Sequence, residues 1–163
     1  MIEEASLFDQ INGLPVHVLV LHAAVVFVPL LALGAVVYAL VGPWRAKIGW
    51  AVLLLGIVAP ICTFVTKESG EKLYDRLIAQ GLSGKGKEIL DDHMGFGTNT
   101  FWFTLSLGVV SIVMVVLTRG GSGSSPKVVQ WVLSAAMVVL AAFTGYFIFR
   151  TGDSGATAVW GQY

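Results

Sequence analysis

No Asp, Glu, Lys or Arg occurs in residues 10–44, which read QINGLPVHVLVLHAAVVFVPLLALGAVVYALVGPW. Three further stretches also lack all four charged residue types: Ile48–Thr66, His93–Thr118 and Val128–Phe149. About 20 apolar residues in an α-helix, at a rise of roughly 1.5 Å each, cross the ~30 Å hydrocarbon core of a bilayer. The sequence therefore predicts four membrane-spanning helices, over about residues 14–41, 48–66, 94–118 and 127–149.

The charged residues between these stretches are sorted by sign. If all four stretches cross, the connecting loops fall alternately on two sides of the membrane. One side then holds only bases, namely Arg45, Lys47, Arg119 and Lys127, whereas the other side holds all ten acids and the remaining six bases. Short cytoplasmic loops carry an excess of Lys and Arg, so we expect both termini to lie outside the cytoplasm.

The composition supports a membrane protein and argues against other classes. Of the 163 residues 56% are hydrophobic and only 12% are charged, with a mean hydropathy of +0.80, whereas a soluble domain carries about 25% charged residues. No basic cluster suited to nucleic acid is present, so we expect a lipid bilayer and no nucleic acid as partner. The single cysteine, Cys62, lies within the second span and is expected to be a buried free thiol.

The predicted fold is an all-α, four-helix transmembrane bundle that forms one domain over residues 1–163. Its sizeable outer loop covers residues 67–93, where Glu71–Gln80 has the pattern of a short amphipathic helix at the interface. Pro60 is expected to bend the second span and to free one backbone carbonyl. Residues 120–125 read as a flexible linker, and residues 150–163 as an extracytoplasmic tail. No repeat at a fixed period is evident.

All three histidines lie near the outer ends of spans, which makes that end the candidate site. His17 is in the first turn of span one, His22 lies roughly 7.5 Å deeper, and His93 starts span three. Glu68 follows span two and Asp153 follows span four. Because ionisable groups at membrane depth are costly, we treat these residues as functional candidates, with His22 the deepest of them.

Helical geometry limits how these groups can combine. At about 100° per residue, His17 and His22 point roughly 140° apart, so one straight helix cannot aim both at one metal. One histidine from span one and His93 could hold the iron of haem b. Alternatively, His22, His93 and the carboxylates of Glu68 and Asp153 could bind zinc, iron or manganese, or orient the imidazoles. A proton-accepting or quinone-binding pocket and a purely structural role for each histidine remain open.

Several short motifs occur in the order found in one known family. They are Leu14-Pro15-Val16-His17 followed by His22 and Pro29, Ser69-Gly70-Glu71, Asp91 with His93, and Gly152–Ala156 with Val159-Trp160-Gly161. Over residues 14–161 the chain resembles the predicted bacterial membrane proteins catalogued as domain of unknown function 2231. Some members of that family are joined to Rieske iron–sulfur domains, which implies a redox protein as partner. Relatives often carry a histidine where this chain has Asp153, so a ligand from the tail is less expected here.

We therefore expect a small multi-pass membrane protein that acts as a haem- or metal-binding electron-transfer subunit. His22 and His93, with His17 as the other candidate, would bind the cofactor, and Glu68 and Asp153 would lie beside them. The alternative is a cofactor-free structural or assembly subunit of a membrane complex, and a homo-oligomer is compatible with either. The sequence leaves open whether His17 or His22 faces the bundle interior.

Overall fold

Four long helices dominate the part of the chain that the structure describes, which is residues 10–119 and 126–161 of a computed structural model. They are α1 (Val16–Leu40), α2 (Arg45–Ala79), α3 (Gly84–Arg119) and α4 (Lys127–Trp160). Each is long and apolar enough to cross a membrane, which confirms the predicted four-span bundle. The predicted linker at residues 120–125 lies outside the described residues.

Short connections bring consecutive helices side by side. A two-residue strand pair, β1 (Gln10–Ile11) and β2 (Leu14–Pro15), precedes α1 and turns through Asn12 and Gly13, which both have positive φ. A single 3₁₀ turn, Gly42–Trp44, joins α1 to α2. Each helix packs mainly against its neighbours in the cyclic order α1, α2, α3, α4, so α1 and α3 face each other across the bundle.

Three helices continue well past the predicted spans. At a rise of 1.5 Å per residue, α2, α3 and α4 are each about 50 Å long, roughly 20 Å more than a bilayer core requires. The segment 71–79 is helical, but it continues α2 directly and is not a separate interfacial helix. Likewise, residues 84–93 belong to α3 and residues 150–160 to α4, where the sequence predicted a loop and a tail.

Side-chain contacts explain why the α2–α3 hairpin stays helical outside the membrane. Lys67 pairs with Glu71 one turn later at 2.6 Å, a spacing that supports a helix. Between the helices, the Tyr74 hydroxyl donates to Asp91, which also pairs with Lys87 at 2.6 Å. The hairpin turns at Gly81, which has a φ of +96°. The N–H of Gly81 donates to the Ile78 carbonyl and the N–H of Leu82 donates to the Leu77 carbonyl, so α2 ends in a Schellman motif.

Large apolar, small and hydroxyl side chains together fill the bundle interior, and further large apolar side chains cover the outside. Its apolar core includes Val28, Leu31, Ala35, Leu107 and Met114. Threonine and serine side chains are buried beside it, whereas aromatic residues such as Trp50, Trp102 and Trp131 are exposed. Lipid tails solvate large apolar groups, so helix association in a membrane relies on close packing of small residues.

Helices α2 and α3 come very close together where Pro60 interrupts the hydrogen bonds of α2. Pro60 has no N–H, so the carbonyl four residues earlier, at Gly56, has no intrahelical donor. That oxygen faces Gly108, because a Cβ added to Gly108 would lie only 2.5 Å from it. The Cα hydrogens of Gly108 can therefore contact the carbonyl that the sequence predicted Pro60 to free.

Arg45 ties together the end of the bundle at which the acid-free loops lie. Its guanidinium donates to the carbonyls of Tyr38 and Ala39, which end α1, and to the Gln130 side chain of α4. Tyr38 in turn bonds to the Thr118 hydroxyl of α3 at 2.6 Å. A cation at a helix C-terminus satisfies carbonyls that have no intrahelical donor, so one arginine fixes this end of the bundle.

Candidate functional site

His17 and His93 meet at the end of the bundle opposite Arg45, across the diagonal between α1 and α3. Their ring centroids are 6.2 Å apart and the ring planes are nearly perpendicular, at 85°. Both rings line one cavity to which all four helices contribute. The structure thus identifies His17 as the partner of His93, a choice that the sequence alone left open.

The His17 ring is held by α2. Its Nδ1 lies 2.9 Å from the backbone oxygen of Thr66. The Nδ1–Cε1 edge of the ring lies against Gly70, where an added Cβ would stand 3.0 Å from Nδ1 and 3.1 Å from Cε1. Helix α2 therefore positions the His17 ring in two ways. The Thr66 carbonyl accepts a hydrogen bond from it, and Gly70 leaves room for the ring to pack against the helix backbone.

The His93 ring is held by α4 in the same manner. Its Nδ1 lies 3.0 Å from the backbone oxygen of Thr151 and 3.1 Å from the Ser154 hydroxyl. Its Nδ1–Cε1 edge lies against Gly155, where a Cβ would stand 2.9 Å from Cε1 and 3.2 Å from Nδ1. The Ser154 hydroxyl also donates to the Thr151 oxygen, as the Ser69 hydroxyl does to the Thr66 oxygen beside His17.

These bonds define which ring nitrogen carries the proton. A backbone carbonyl oxygen can only accept, so Nδ1 must be the donor in each hydrogen bond. In a neutral imidazole the other nitrogen, Nε2, then carries a free lone pair. Histidines that bind metals use the same arrangement, in which the non-ligating N–H donates to a backbone carbonyl. The two rings are therefore prepared as nitrogen ligands or proton acceptors.

The two halves of the bundle are structural repeats of each other. The residues that hold His17 read Thr66-Lys-Glu-Ser-Gly70, and those that hold His93 read Thr151-Gly-Asp-Ser-Gly155. Many buried positions correspond as well. A buried residue of α1 matches the residue 76 positions later in α3, and a buried residue of α2 matches the residue 85 positions later in α4. The matching buried pairs are Ala24/Thr100, Val28/Thr104, Leu31/Leu107, Ala35/Ser111, Tyr38/Met114, Ala39/Val115, Val52/Met137, Gly56/Ala141 and Ala59/Thr144.

This correspondence relates the pair α1–α2 to the pair α3–α4 by a pseudo-two-fold axis along the bundle. Equivalent helices run in the same direction, as in membrane proteins built from parallel repeats. The two histidines are equivalent under this axis and meet across it. Sequence inspection for a single period missed the repeat, because the inner loops differ in length and give two different offsets.

None of the other predicted site residues, His22, Glu68 and Asp153, lines the cavity beside the histidine pair. His22 is exposed on α1, about 140° around the helix from His17. Glu68 pairs with Lys67 at 3.1 Å, and Asp153 is exposed. Within residues 10–119 and 126–161, no group of three or more His, Cys, Asp or Glu side chains could hold a metal ion together. Cys62 is a free, half-buried thiol on α2.

The cavity beside the rings is small, and threonine is the most frequent residue type in its lining. Its volume is about 50 Å³, which is room for a few water molecules or one small ion. Besides the histidines it is lined by Lys67, Met94 and several hydroxyl residues, among them Thr63, Thr66, Thr100 and Thr151. A single small ligand can therefore lie beside the two imidazoles.

A four-span helical bundle with a histidine pair at one end defines a multi-pass integral membrane protein. The chain belongs to the family described as predicted membrane protein (DUF2231), whose family model matches residues 13–162. The resemblance inferred from its motifs is thereby confirmed, and a bacterial plasma membrane is consistent with it. No curated protein and no solved structure matches the chain.

Proposed function

We propose that this protein is a metal-binding membrane subunit in which His17 and His93 hold one redox-active centre. The observation that carries the proposal is the pair of imidazoles 6.2 Å apart, each with Nδ1 bonded to a carbonyl of a neighbouring helix. The centre would lie at the outer end of the bundle, where an extracytoplasmic redox protein can approach. When bound, such a centre supplies the ability to accept and release an electron.

The separation of the rings suits one metal centre between them. Metal–nitrogen bonds to histidine are about 2.0–2.1 Å, and the ring centroid lies about 1.1 Å behind the nitrogen. Two imidazoles on opposite sides of one metal would therefore place their centroids about 6.3 Å apart. The observed centroid separation of 6.2 Å is close to that value, so binding one metal requires the two Nε2 atoms to face each other and not a change in the distance between the rings.

The two cofactor classes expected from the sequence fit this site differently. The iron of haem b takes two axial protein ligands, which the histidine pair would supply. A cavity of about 50 Å³, however, has no room for the macrocycle unless the helices separate. A bare ion fits the cavity, but the carboxylates of Glu68 and Asp153 do not join the pair. We therefore favour a single ion over haem b.

The chain's own residues would prepare the ligands before the ion arrives. The Thr66 and Thr151 carbonyls hold the proton on Nδ1 of each ring and leave Nε2 free. Gly70 and Gly155 allow α2 and α4 to approach the rings closely enough for these bonds. Rings fixed in orientation and tautomer lose little freedom on binding, which raises affinity for an ion placed between them.

Elemental analysis and a visible spectrum of the detergent-purified protein test the proposal. We expect close to one transition-metal ion per chain, with the metal lost in His17→Ala and in His93→Ala. His22→Ala is the matched control, because it removes an exposed imidazole from the same helix. A Soret band that disappears in the same two variants would assign haem b to the pair instead. A colourless, metal-free protein after incubation with each metal would refute the proposal and favour a structural or assembly subunit.

A further inference from the structure

We infer that the ion held by His17 and His93 is copper(I), with the thioether of Met94 as the third ligand. This inference rests on the proposed function and names its metal. Met94 follows His93 on α3 and lines the same cavity as both histidines. The donor set is then two neutral nitrogens and one neutral sulfur, at the outer end of the bundle.

The charges around the cavity favour a monovalent ion. The nearby carboxylates are already paired or exposed: Glu68 and Glu71 contact Lys67, Asp91 contacts Lys87, and Asp92 and Asp153 are exposed. Lys67, which lines the cavity, is the partner of both Glu68 and Glu71, so this group of charges supplies no unpaired carboxylate to the site. The cost of taking an ion out of water rises with the square of its charge, so a divalent ion without an anionic ligand is at a disadvantage here.

The oxygen atoms that line the cavity are weak ligands for a hard ion. The hydroxyls of Thr63, Thr66, Thr100 and Thr151 each donate to a carbonyl four residues earlier in their own helix, and their neutral oxygens offer only lone pairs to an ion. The stronger ligands at the cavity are imidazole nitrogen and thioether sulfur. Imidazole suits several transition metals, whereas a soft thioether selects copper(I) among them.

The pseudo-two-fold axis is consistent with one ion between the histidines, and it shows that Met94 has no equivalent methionine in the first repeat. The histidines are equivalent under the axis, so a single ion between them would receive equivalent contacts from both halves. The position equivalent to Met94 is Val18, which is exposed and does not line the cavity. Only the second repeat therefore offers a sulfur ligand, and this ligand is the residue next to His93.

Competition titrations with bicinchoninate and ascorbate-reduced copper test this assignment on the full-length protein in detergent, with zinc(II) titrated in parallel. We expect copper(I) to bind at one ion per chain, at least tenfold more tightly than zinc(II). Met94→Leu should lower the copper(I) affinity tenfold or more while leaving the zinc(II) affinity unchanged. Met114→Leu, the same substitution in the core of α3, is the matched control. X-ray absorption should show a sulfur neighbour of copper that is lost only in Met94→Leu.

The outcomes separate this inference from the proposed function. If zinc(II) or haem binds through His17 and His93 and copper(I) does not, the histidine site stands and the copper assignment is wrong. Equal copper(I) affinity in Met94→Leu and in the unchanged protein would also overturn it. If no metal and no haem binds, both proposals fail together. Size-exclusion profiles and helical circular dichroism of each variant show that a loss of binding is not a loss of fold.

Discussion

The His93 ring lies directly against Gly155, and no side chain other than hydrogen fits between them. A Cβ at Gly155 would stand 2.9 Å from Cε1 of the ring, closer than any ordinary van der Waals contact. The same relation joins His17 to Gly70 at 3.0 Å. Because the repeats share this contact, each glycine belongs to the histidine site although it contributes no ligand atom.

Gly155→Ala is therefore expected to displace the His93 ring and to weaken metal binding. Substitutions beside a metal ligand typically cost about 10–100-fold in affinity, and we expect a loss in that range. The control is Gly152→Ala on the same helix, where an added Cβ meets nothing within 4 Å. Metal titration of both variants checks this, and equal affinities for the two would contradict the proposed role of Gly155.

The contact of Gly108 with α2 is expected to affect the stability of the protein and not metal binding. A Cβ at Gly108 would lie 2.5 Å from the Gly56 oxygen and 3.1 Å from the Pro60 ring, so Gly108→Ala must push α2 and α3 apart. Overpacking of this kind costs about 1–3 kcal/mol. Thermal unfolding in detergent should show a lower Tm for Gly108→Ala. Gly145→Ala, where the added Cβ meets open space, should keep or raise it; a Tm unchanged in both would contradict the contact.

The spans were predictable from the sequence because charged side chains are costly in the hydrocarbon core, so each membrane-spanning segment is a long stretch without charged residues. The helix ends were not, because charged residues mark the membrane boundary and not the end of a helix. Past Thr66, the pair Lys67–Glu71 stabilises further helical turns in water, so α2 continues to Ala79. Only the turn at Gly81, with its positive φ, ends it.

The end of the bundle that holds the histidine pair was predictable, but the choice of histidine was not. His17 and His22 share one helix, and nothing in its apolar pattern identifies the inward side. The signal that could have found it is the repeated Thr-x-acid-Ser-Gly motif at residues 66–70 and 151–155. When the two repeats are aligned, His93 is equivalent to His17, whereas the position equivalent to His22 is Thr98 and not a histidine. The glycines at the ends of both motifs would then have entered the site as well.

Three buried hydroxyls predict an unusual response to substitution. The side-chain oxygens of Thr104, Ser111 and Thr144 have no hydrogen-bond partner within the described residues. An unpaired polar group buried in an apolar interior costs about 1–3 kcal/mol. Thr104→Val and Thr144→Val keep the side-chain shape, so each should leave stability unchanged or raise it. Thr118→Val, which removes the bond to Tyr38, should lower it.

Unfolding midpoints of the three valine variants in one detergent check this contrast. If Thr104→Val or Thr144→Val destabilises the protein as much as Thr118→Val does, the hydroxyl has a partner inside the bundle. Internal water would be that partner, since buried water bonds to polar groups that protein atoms leave unsatisfied. The repeats sharpen the comparison, because Thr104 and Thr144 correspond to Val28 and Ala59, which fill the same places without a hydroxyl.

The orientation of the bundle is the last prediction, and it follows from the charges at its two ends. Arg45, Lys47, Arg119 and Lys127 lie at the end without acids, which we expect in the cytoplasm. In a Cys62→Ser background, Ser83→Cys in the outer hairpin should react with a membrane-impermeant maleimide added to intact cells. Ser122→Cys, between α3 and α4, should react only after the cells are opened. The reverse pattern would place the histidine pair in the cytoplasm, where an extracytoplasmic redox partner could not reach it.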